Sequence, residues 1–278
     1  MSNHCYKIAY WGYSSKMLEE LCQCTYFKID LVVYVPKRVN KEFLSIIRKY
    51  NIESIQIHSK FELKSLLERD LHFEAVIMYK FEYILPADFV KTQVIINFHG
   101  GNLRTNRGAH AVVWSILRGE SKTCLSMYQL TGGIDEGRLI GEYWVDIDET
   151  DSPDLLNEKL QCGIPILLEK LDLYLKGEAK SELILGGEYL PKITERDYTI
   201  DAANDSFKII KRKINSQLAY LGAVIYIDGI KYRVTRYAER KGVEVEERQI
   251  FFSDRTLTIK EDKSILLLFC RKDMEKYS

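Results

Sequence analysis

Three side chains in this sequence have the types and the setting that chemistry at a carbonyl carbon requires. Ile96-Asn97-Phe98-His99-Gly100-Gly101 closes an apolar run of strand character, and on a strand residues two apart project to the same face. Asn97 and His99 therefore present a carboxamide and an imidazole together. Downstream, Gly132-Gly133-Ile134-Asp135-Glu136-Gly137 sets Asp135 among glycines, in a loop whose backbone can come close to a ligand. The three groups suit transfer of an acyl group to an amine. A carbonyl under attack gathers negative charge on its oxygen, which an Asn N–H or an imidazolium stabilises, by about 3–4 kcal/mol for one good donor. The attacking amine must shed a proton, and His is the side chain poised near neutrality to take it. A carboxylate beside the ring holds it in one orientation and favours its charged form. No covalent intermediate is required.

The elements that must position these groups begin at the amino terminus. Tyr6–Trp11 reads as a strand, and Lys16–Cys22 as a helix with Met17, Leu18 and Leu21 on one face. Ile29–Val35 is a second strand that stops at Pro36, followed by a helix over Glu42–Lys49, a short strand over Ser54–Ile57 and a helix over Leu63–Arg69. Phe73–Met78 and Val94–Phe98 are further strands. This alternation predicts an α/β fold, Rossmann-like, around a mostly parallel sheet. Gly12-Tyr13-Ser14-Ser15 follows the first strand without a GxGxxG, so no dinucleotide is expected. Ligands of open parallel sheets bind beyond the carboxyl ends of the strands, where strand order reverses, which singles out the loops 12–15, 79–86 and 99–110. Asp151–Lys176, entered through Ser152-Pro153, reads as one long helix bent at Gly163-Ile164-Pro165.

Beyond Gly177 the texture changes. Ala223–Ile227 and Lys231–Thr235 flank Asp228-Gly229, a strong hairpin signal. The expected organisation is a catalytic domain over 1–200 and a smaller β-rich unit over 201–278, whose edge strands favour pairing into a homodimer. The 278 residues amount to roughly two domains. Forty Lys and Arg balance forty Asp and Glu, so the field that draws a protein onto polyanions is missing and no nucleic-acid partner is expected. No apolar run is long enough to span a bilayer and the amino terminus has no signal-like core, so a cytoplasmic protein with no membrane partner is expected. The six cysteines are scattered, with Cys22-x-Cys24 the one close spacing, which suits neither a disulfide framework nor a metal site.

The stretch NFHGGNLRTNRGAHAVVWSILRGE, followed by LTGGIDEGRLI, resembles the signature of the folate-dependent formyltransferases: Asn-x-His-Gly, a loop ending in Arg-Gly-Ala, and Gly-Ile/Leu-Asp-x-Gly. The resemblance covers roughly residues 1–200. It implies that N10-formyltetrahydrofolate is the formyl donor and that Asn97, His99 and Asp135 are the catalytic residues, with His99 the general base, Asn97 and His99 stabilising the intermediate, and Asp135 orienting the ring. It also implies a pterin held largely by backbone of the loop YKFEYILP. The folate-binding set is then Met78, Tyr79, Phe81, Ile84 and Leu85, with Gly132, Ile134 and Asp135. Relatives often carry Ser-Leu-Leu-Pro where this chain has Gly101-Asn102-Leu103-Arg104, and Thr and Asp where it has Glu136 and Arg138. Those changes leave the three catalytic positions intact and concern the acceptor.

Three classes of relative compete for that acceptor. A methionyl-tRNA formyltransferase needs a basic surface, which zero net charge does not provide. A glycinamide ribonucleotide enzyme would end near residue 200. The carboxyl-terminal unit and the run Asn106-Arg107-Gly108-Ala109-His110 look most like the nucleotide-linked amino-sugar N-formyltransferases. The expected substrate is an NDP-linked, by preference dTDP-linked, deoxyamino sugar destined for lipopolysaccharide O-antigen. Lys80, Arg104 and Arg107 are candidates for its diphosphate, Trp11, Tyr13 or Tyr79 for stacking on its base, and Asn102 and Asn106 for contacts from the same loop. The alternatives are the tRNA enzyme, a formyltetrahydrofolate hydrolase, and an inactive folate-binding scaffold.

Overall fold

Strands and helices alternate in the order β1 (Tyr6–Gly12), α1 (Ser15–Gln23), β2 (Phe27–Tyr34), α2 (Lys41–Lys49), β3 (Glu53–Gln56), α3 (Lys60–Leu67), β4 (Ala75–Tyr79), α4 (Ala87–Thr92) and β5 (Ile95–His99). There follow α5 (Ala111–Arg118), β6 (Lys122–Leu130), β7 (Gly137–Asp146), α6 (Pro153–Gln161), α7 (Ile164–Leu175), β8 (Glu182–Ile184), β9 (Thr199–Ile200), α8 (Phe207–Ser216), β10 (Ala223–Ile227), β11 (Ile230–Ser253) and β12 (Thr256–Lys272). The computed structural model describes residues 4–69, 71–133 and 135–273. Two compact units emerge: Met1–Gly108 with Cys124–Val145 and Lys159–Tyr189, and Ala109–Thr123 with Asp146–Glu158 and Leu190–Ser278.

The first unit is built on an eight-stranded sheet of order β3-β2-β1-β4-β5-β6-β7-β8. The five strands from β1 to β5 pair in parallel, whereas β5–β6 and β7–β8 are antiparallel. All five residues of β4 are buried, as a strand covered on both faces requires. The helices are capped where the sequence offers a cap. Ser14 Oγ accepts from Met17 N and Asn40 Oδ1 from Phe43 N, so each satisfies an orphan N–H of a first turn. Met17, Leu18 and Leu21 are the buried face of α1. Ala9, Trp11, Leu31, Val33, Val76 and Met78 share one core cluster with Leu63 and Leu66 of α3. Gly12 permits a close approach: a Cβ there would lie 1.9 Å from the Tyr79 carbonyl oxygen.

The segment predicted as one bent helix is two, α6 and α7. Pro165 lacks an N–H, and its ring would meet the carbonyl four residues before it, so the helix stops. Gly163 completes the break by letting the Tyr143 ring pack where a Cβ would be only 2.2 Å away.

The second unit holds a sheet of order β12-β11-β10-β9. Its hairpin turns on Asp228-Gly229 as expected, with φ of +49° and +76°, the two left-handed residues of a type I′ turn. The strand that follows is far longer than Lys231–Thr235: β11 runs for 24 residues. Its pairing with β12 shifts register after Val234, Lys241 and Val245, and such bulges bend a ribbon. The hairpin tip accordingly returns to its own sheet. Cys270 N donates to Arg255 O at 2.8 Å, and the Phe252 ring centroid lies 5.2 Å from that of Tyr232. Ile210 and Ile214 of α8 fill the enclosed core with Ile225, Val234, Ile259, Leu266 and Leu268. Among the described residues no helix is long and apolar enough to cross a membrane.

Candidate active site

β5 carries Asn97 and His99 to the carboxyl edge of the parallel strands, and antiparallel pairing sets Tyr128 opposite Asn97 and Ser126 opposite His99 on β6. Asp135 enters from the loop after β6, in the left-handed conformation at φ +49°, which a short polar side chain tolerates. Its carboxylate is the meeting point. Asn97 Nδ2 donates to the Tyr128 hydroxyl at 2.7 Å, and that hydroxyl donates to Asp135 Oδ1 at 2.7 Å. The other carboxylate oxygen, Oδ2, accepts from Gly108 N at 2.8 Å and lies 3.7 Å from His99 Nδ1. On its far side the ring places Nε2 2.7 Å from the carbonyl oxygen of Asn106. A carbonyl only accepts, so Nε2 carries a proton, and Nδ1 is the nitrogen left to gain or lose one beside the carboxylate.

Burial, with the Asp135 charge next to it, pushes the Tyr128 hydroxyl well above its ordinary range, so this phenol stays neutral and donates. The side chains of His99 and Asp135 keep 11% and 16% of their surface exposed, enough to be reached and too little to be freely solvated. Two further ties fix the surrounding loops: Arg107 is ion-paired with Glu136, and Ser126 Oγ donates to Gly101 O at 2.8 Å. The arrangement offers an N–H donor, a proton acceptor and a fixed negative charge at one place.

The remaining sequence candidates distribute unevenly. Trp11 is completely buried, its ring 5.6 Å from that of Phe81 and 5.8 Å from that of Phe89, so it has no face for a base and serves the core instead. Met78, Tyr79 and Leu85 are likewise buried, so their side chains are not open to a ligand. Ile84 is the exception at 76% exposed, and Gly132 is exposed as well. Ile134 lies outside the described residues. Tyr13 is half-buried, and Lys80 adopts φ +57° with its ammonium 5.4 Å from the Tyr79 ring centre.

The two loop arginines are engaged with acids rather than open to a diphosphate. Arg107 faces Glu136, and Arg104 bridges Glu142 at 3.3 Å and Glu182 at 2.7 Å. Asn102 Oδ1 accepts from Arg104 N, and Asn106 is fully buried with its carbonyl on His99. Among the described residues no group of three His, Cys, Asp or Glu is set to hold a metal ion. Tyr128 is the participant that sequence reasoning missed. It alternates with Ser126 along an apolar run, but its place opposite Asn97 depends on an antiparallel register that no local pattern encodes.

Residues 40–167 match the formyl transferase family. The chain is 26% identical over 234 residues to methionyl-tRNA formyltransferase of Prochlorococcus marinus (strain MIT 9215), across 76% of this chain and 71% of that one. The N-formyltransferase from Helicobacter canadensis, solved in complex with folinic acid and dTDP-3-aminofucose, shares the fold at a TM-score of 0.68 and 12% identity, over 96% of this chain and 100% of that one. HypX from Aquifex aeolicus in complex with tetrahydrofolic acid also gives 0.68, at 14% identity over 97% of this chain and 44% of HypX. The expected α/β fold with a separate β-rich unit is the fold these proteins share.

Proposed function

From the premise that the chain carries a formyl transferase domain, we propose that it moves a formyl group from N10-formyltetrahydrofolate to the primary amine of a nucleoside-diphosphate-linked deoxyamino sugar, with dTDP as the carrier. The observation that carries this reading is the convergence of His99, Tyr128 and, through Tyr128, Asn97 on the Asp135 carboxylate, inside the segment that matches the family. The exposed Ile84 and Gly132 fit a flat, partly apolar folate.

The folate supplies the formyl group on a nitrogen that can leave. Asn97 offers its second Nδ2 proton to the carbonyl oxygen as that oxygen becomes anionic. His99 Nδ1 takes the proton that the amine loses as its nitrogen bonds to the formyl carbon, and the imidazolium so formed stands 3.7 Å from Asp135 Oδ2. Asn106 O keeps the ring from rotating by holding Nε2–H. His99 then returns the proton to the departing nitrogen, so the old C–N bond breaks with charge and proton count balanced.

Zero net charge supports a small acceptor over tRNA. The names of curated relatives favour a second reading, formylation of methionyl-tRNA. We place the protein in the cytoplasm as a homodimer, its chemistry in residues 1–200 and an auxiliary role in 201–278. The test is incubation with N10-formyltetrahydrofolate and, in parallel, a panel of NDP-amino sugars, methionyl-tRNA, or buffer alone. A sugar nucleotide heavier by one formyl group is the expected product. Formylated tRNA establishes the second reading, and folate turnover without any amine identifies a hydrolase. Elution at about the monomer mass would remove the dimer.

A further inference from the structure

Tyr128 is fully buried on β6, directly across the ladder from Asn97. Its oxygen lies 2.7 Å from Asn97 Nδ2 and 2.7 Å from Asp135 Oδ1, so one atom joins two of the three reactive side chains. The direction of those two hydrogen bonds follows from charge. A carboxylate has no proton to give, so the phenol donates to Asp135. Having spent its one proton, it can only accept from Asn97. The carboxamide must therefore turn its nitrogen toward β6, which fixes its oxygen the other way and leaves the second Nδ2 proton for a substrate.

The two ends of a carboxamide are nearly the same size, and packing alone does not tell them apart. Hydrogen bonding does. With phenylalanine at position 128 the ring would still fill its place, but Asn97 would lose the acceptor that selects one orientation. Asp135 would keep Gly108 N and lose its donor at Oδ1.

We infer that Tyr128 is a positioning residue for the transfer reaction, the link through which the Asp135 carboxylate sets the orientation of the Asn97 carboxamide; the inference rests on the formyl-transfer reading. It deepens that reading by making Asn97 and Asp135 one unit rather than two independent contributors. Tyr128 acts through its neighbours and need not touch substrate.

The test compares Tyr128→Phe with the unaltered protein in steady-state kinetics and follows the Asn97 side-chain amide by NMR. Tyr128→Phe is expected to lower kcat by about 10- to 100-fold, the range for losing a hydrogen bond to a charged group, with KM for both substrates within about twofold. A packing role would move KM as well. The second arm needs no turnover, and its first measurement does not require the phenylalanine variant to fold. Asp135→Asn with Tyr128 in place removes the charge that sets the direction of the chain, and should shift the Asn97 Nδ2 proton resonances. The same substitution in the Tyr128→Phe background should leave them where they are. An unchanged kcat in Tyr128→Phe, or Asn97 signals insensitive to Asp135→Asn while Tyr128 is present, overturns the inference. If no amine is ever formylated but Asn97 still responds to Asp135 through Tyr128, the link stands and the reading of the reaction is what fails.

Discussion

Gly108 N donates to Asp135 Oδ2 at 2.8 Å, the same oxygen that faces His99 Nδ1. The carboxylate beside the imidazole is thus held from behind by the backbone of the loop that follows β5. Orientation of the base and closure of the loop are one event, which is how a group on a loop can be placed with the precision of a group on a strand.

His99→Ala and Asp135→Ala should each lower kcat by about 10²- to 10⁴-fold, the usual worth of a positioned base and its partner. Both side chains sit at a loop mouth and retain some exposure, so circular dichroism and melting temperature should stay close to those of the parent. Formyl transfer at the parental rate by purified His99→Ala would falsify the role given to that ring.

Arg107 and Arg104 should differ sharply when removed. Arg107 is buried against Glu136, and its loss strands a half-buried carboxylate between the two loops of the site. Urea unfolding of Arg107→Ala should show a loss of about 1–3 kcal/mol. Arg104 keeps 41% of its side chain exposed and pairs with a Glu182 that is 64% exposed, so Arg104→Ala should cost under about 1 kcal/mol. Equal losses for the two would show that the Arg107 pair is no better shielded than a surface pair.

The β-rich unit should be sensitive to acid through one cluster. Lys231 hydrogen-bonds Glu195 at 2.6 Å and, with help from the Tyr226 hydroxyl and Arg233, holds that carboxyl below its ordinary range. For Asp273 burial acts upward, but hydrogen bonds from Arg233 and Lys231 outweigh it and its carboxyl is also lowered. A carboxyl lowered by folding stabilises the native state above its unfolded pKa, and that contribution is lost as pH falls through the folded value. The unfolded references are 4.5 and 3.8, so the loss begins below about pH 4.5. Melting temperature followed downward from pH 6 should fall off there, and Lys231→Met should flatten the fall. A slope unchanged in that variant would point to other carboxylates.

Thiol reactivity should separate by burial. Burial pushes the Cys124 thiol up to about 12 and those of Cys270 and Cys22 up to about 11, so at pH 8 almost none is thiolate. Cys5 and Cys162 are exposed. Brief alkylation of the native protein at pH 8, read by mass spectrometry, should modify Cys5 and Cys162 and spare Cys124 and Cys270. Early labelling of Cys124 would mean that β6 opens readily.

The proposed dimer is constrained by the way the ribbon closes. Cys270 N, on the outer edge of β12, already donates to Arg255 O of the chain's own hairpin tip. A second copy that pairs strands with this unit must do so away from Cys270.

The primary structure determined what depends on near neighbours. Apolar periodicity marked β1 to β5 and the helices α1 to α3 to within a few residues, and Asp228-Gly229 announced a turn whose two left-handed residues only such a pair adopts cheaply. Asn97 and His99 were legible as a pair because strand geometry puts them on one face. Tertiary structure decided everything that rests on contacts between distant segments. The antiparallel register of β5 and β6 placed Tyr128 against Asn97, and the curl of β11 and β12 brought Arg255 to Cys270. The same long-range packing drew Trp11 into the core and paired Arg104 and Arg107 with acids from later segments. Local patterns report the face on which a side chain emerges. What it meets there depends on the free energy of the whole packed chain, because burial and charge pairing are decided by residues far away in sequence.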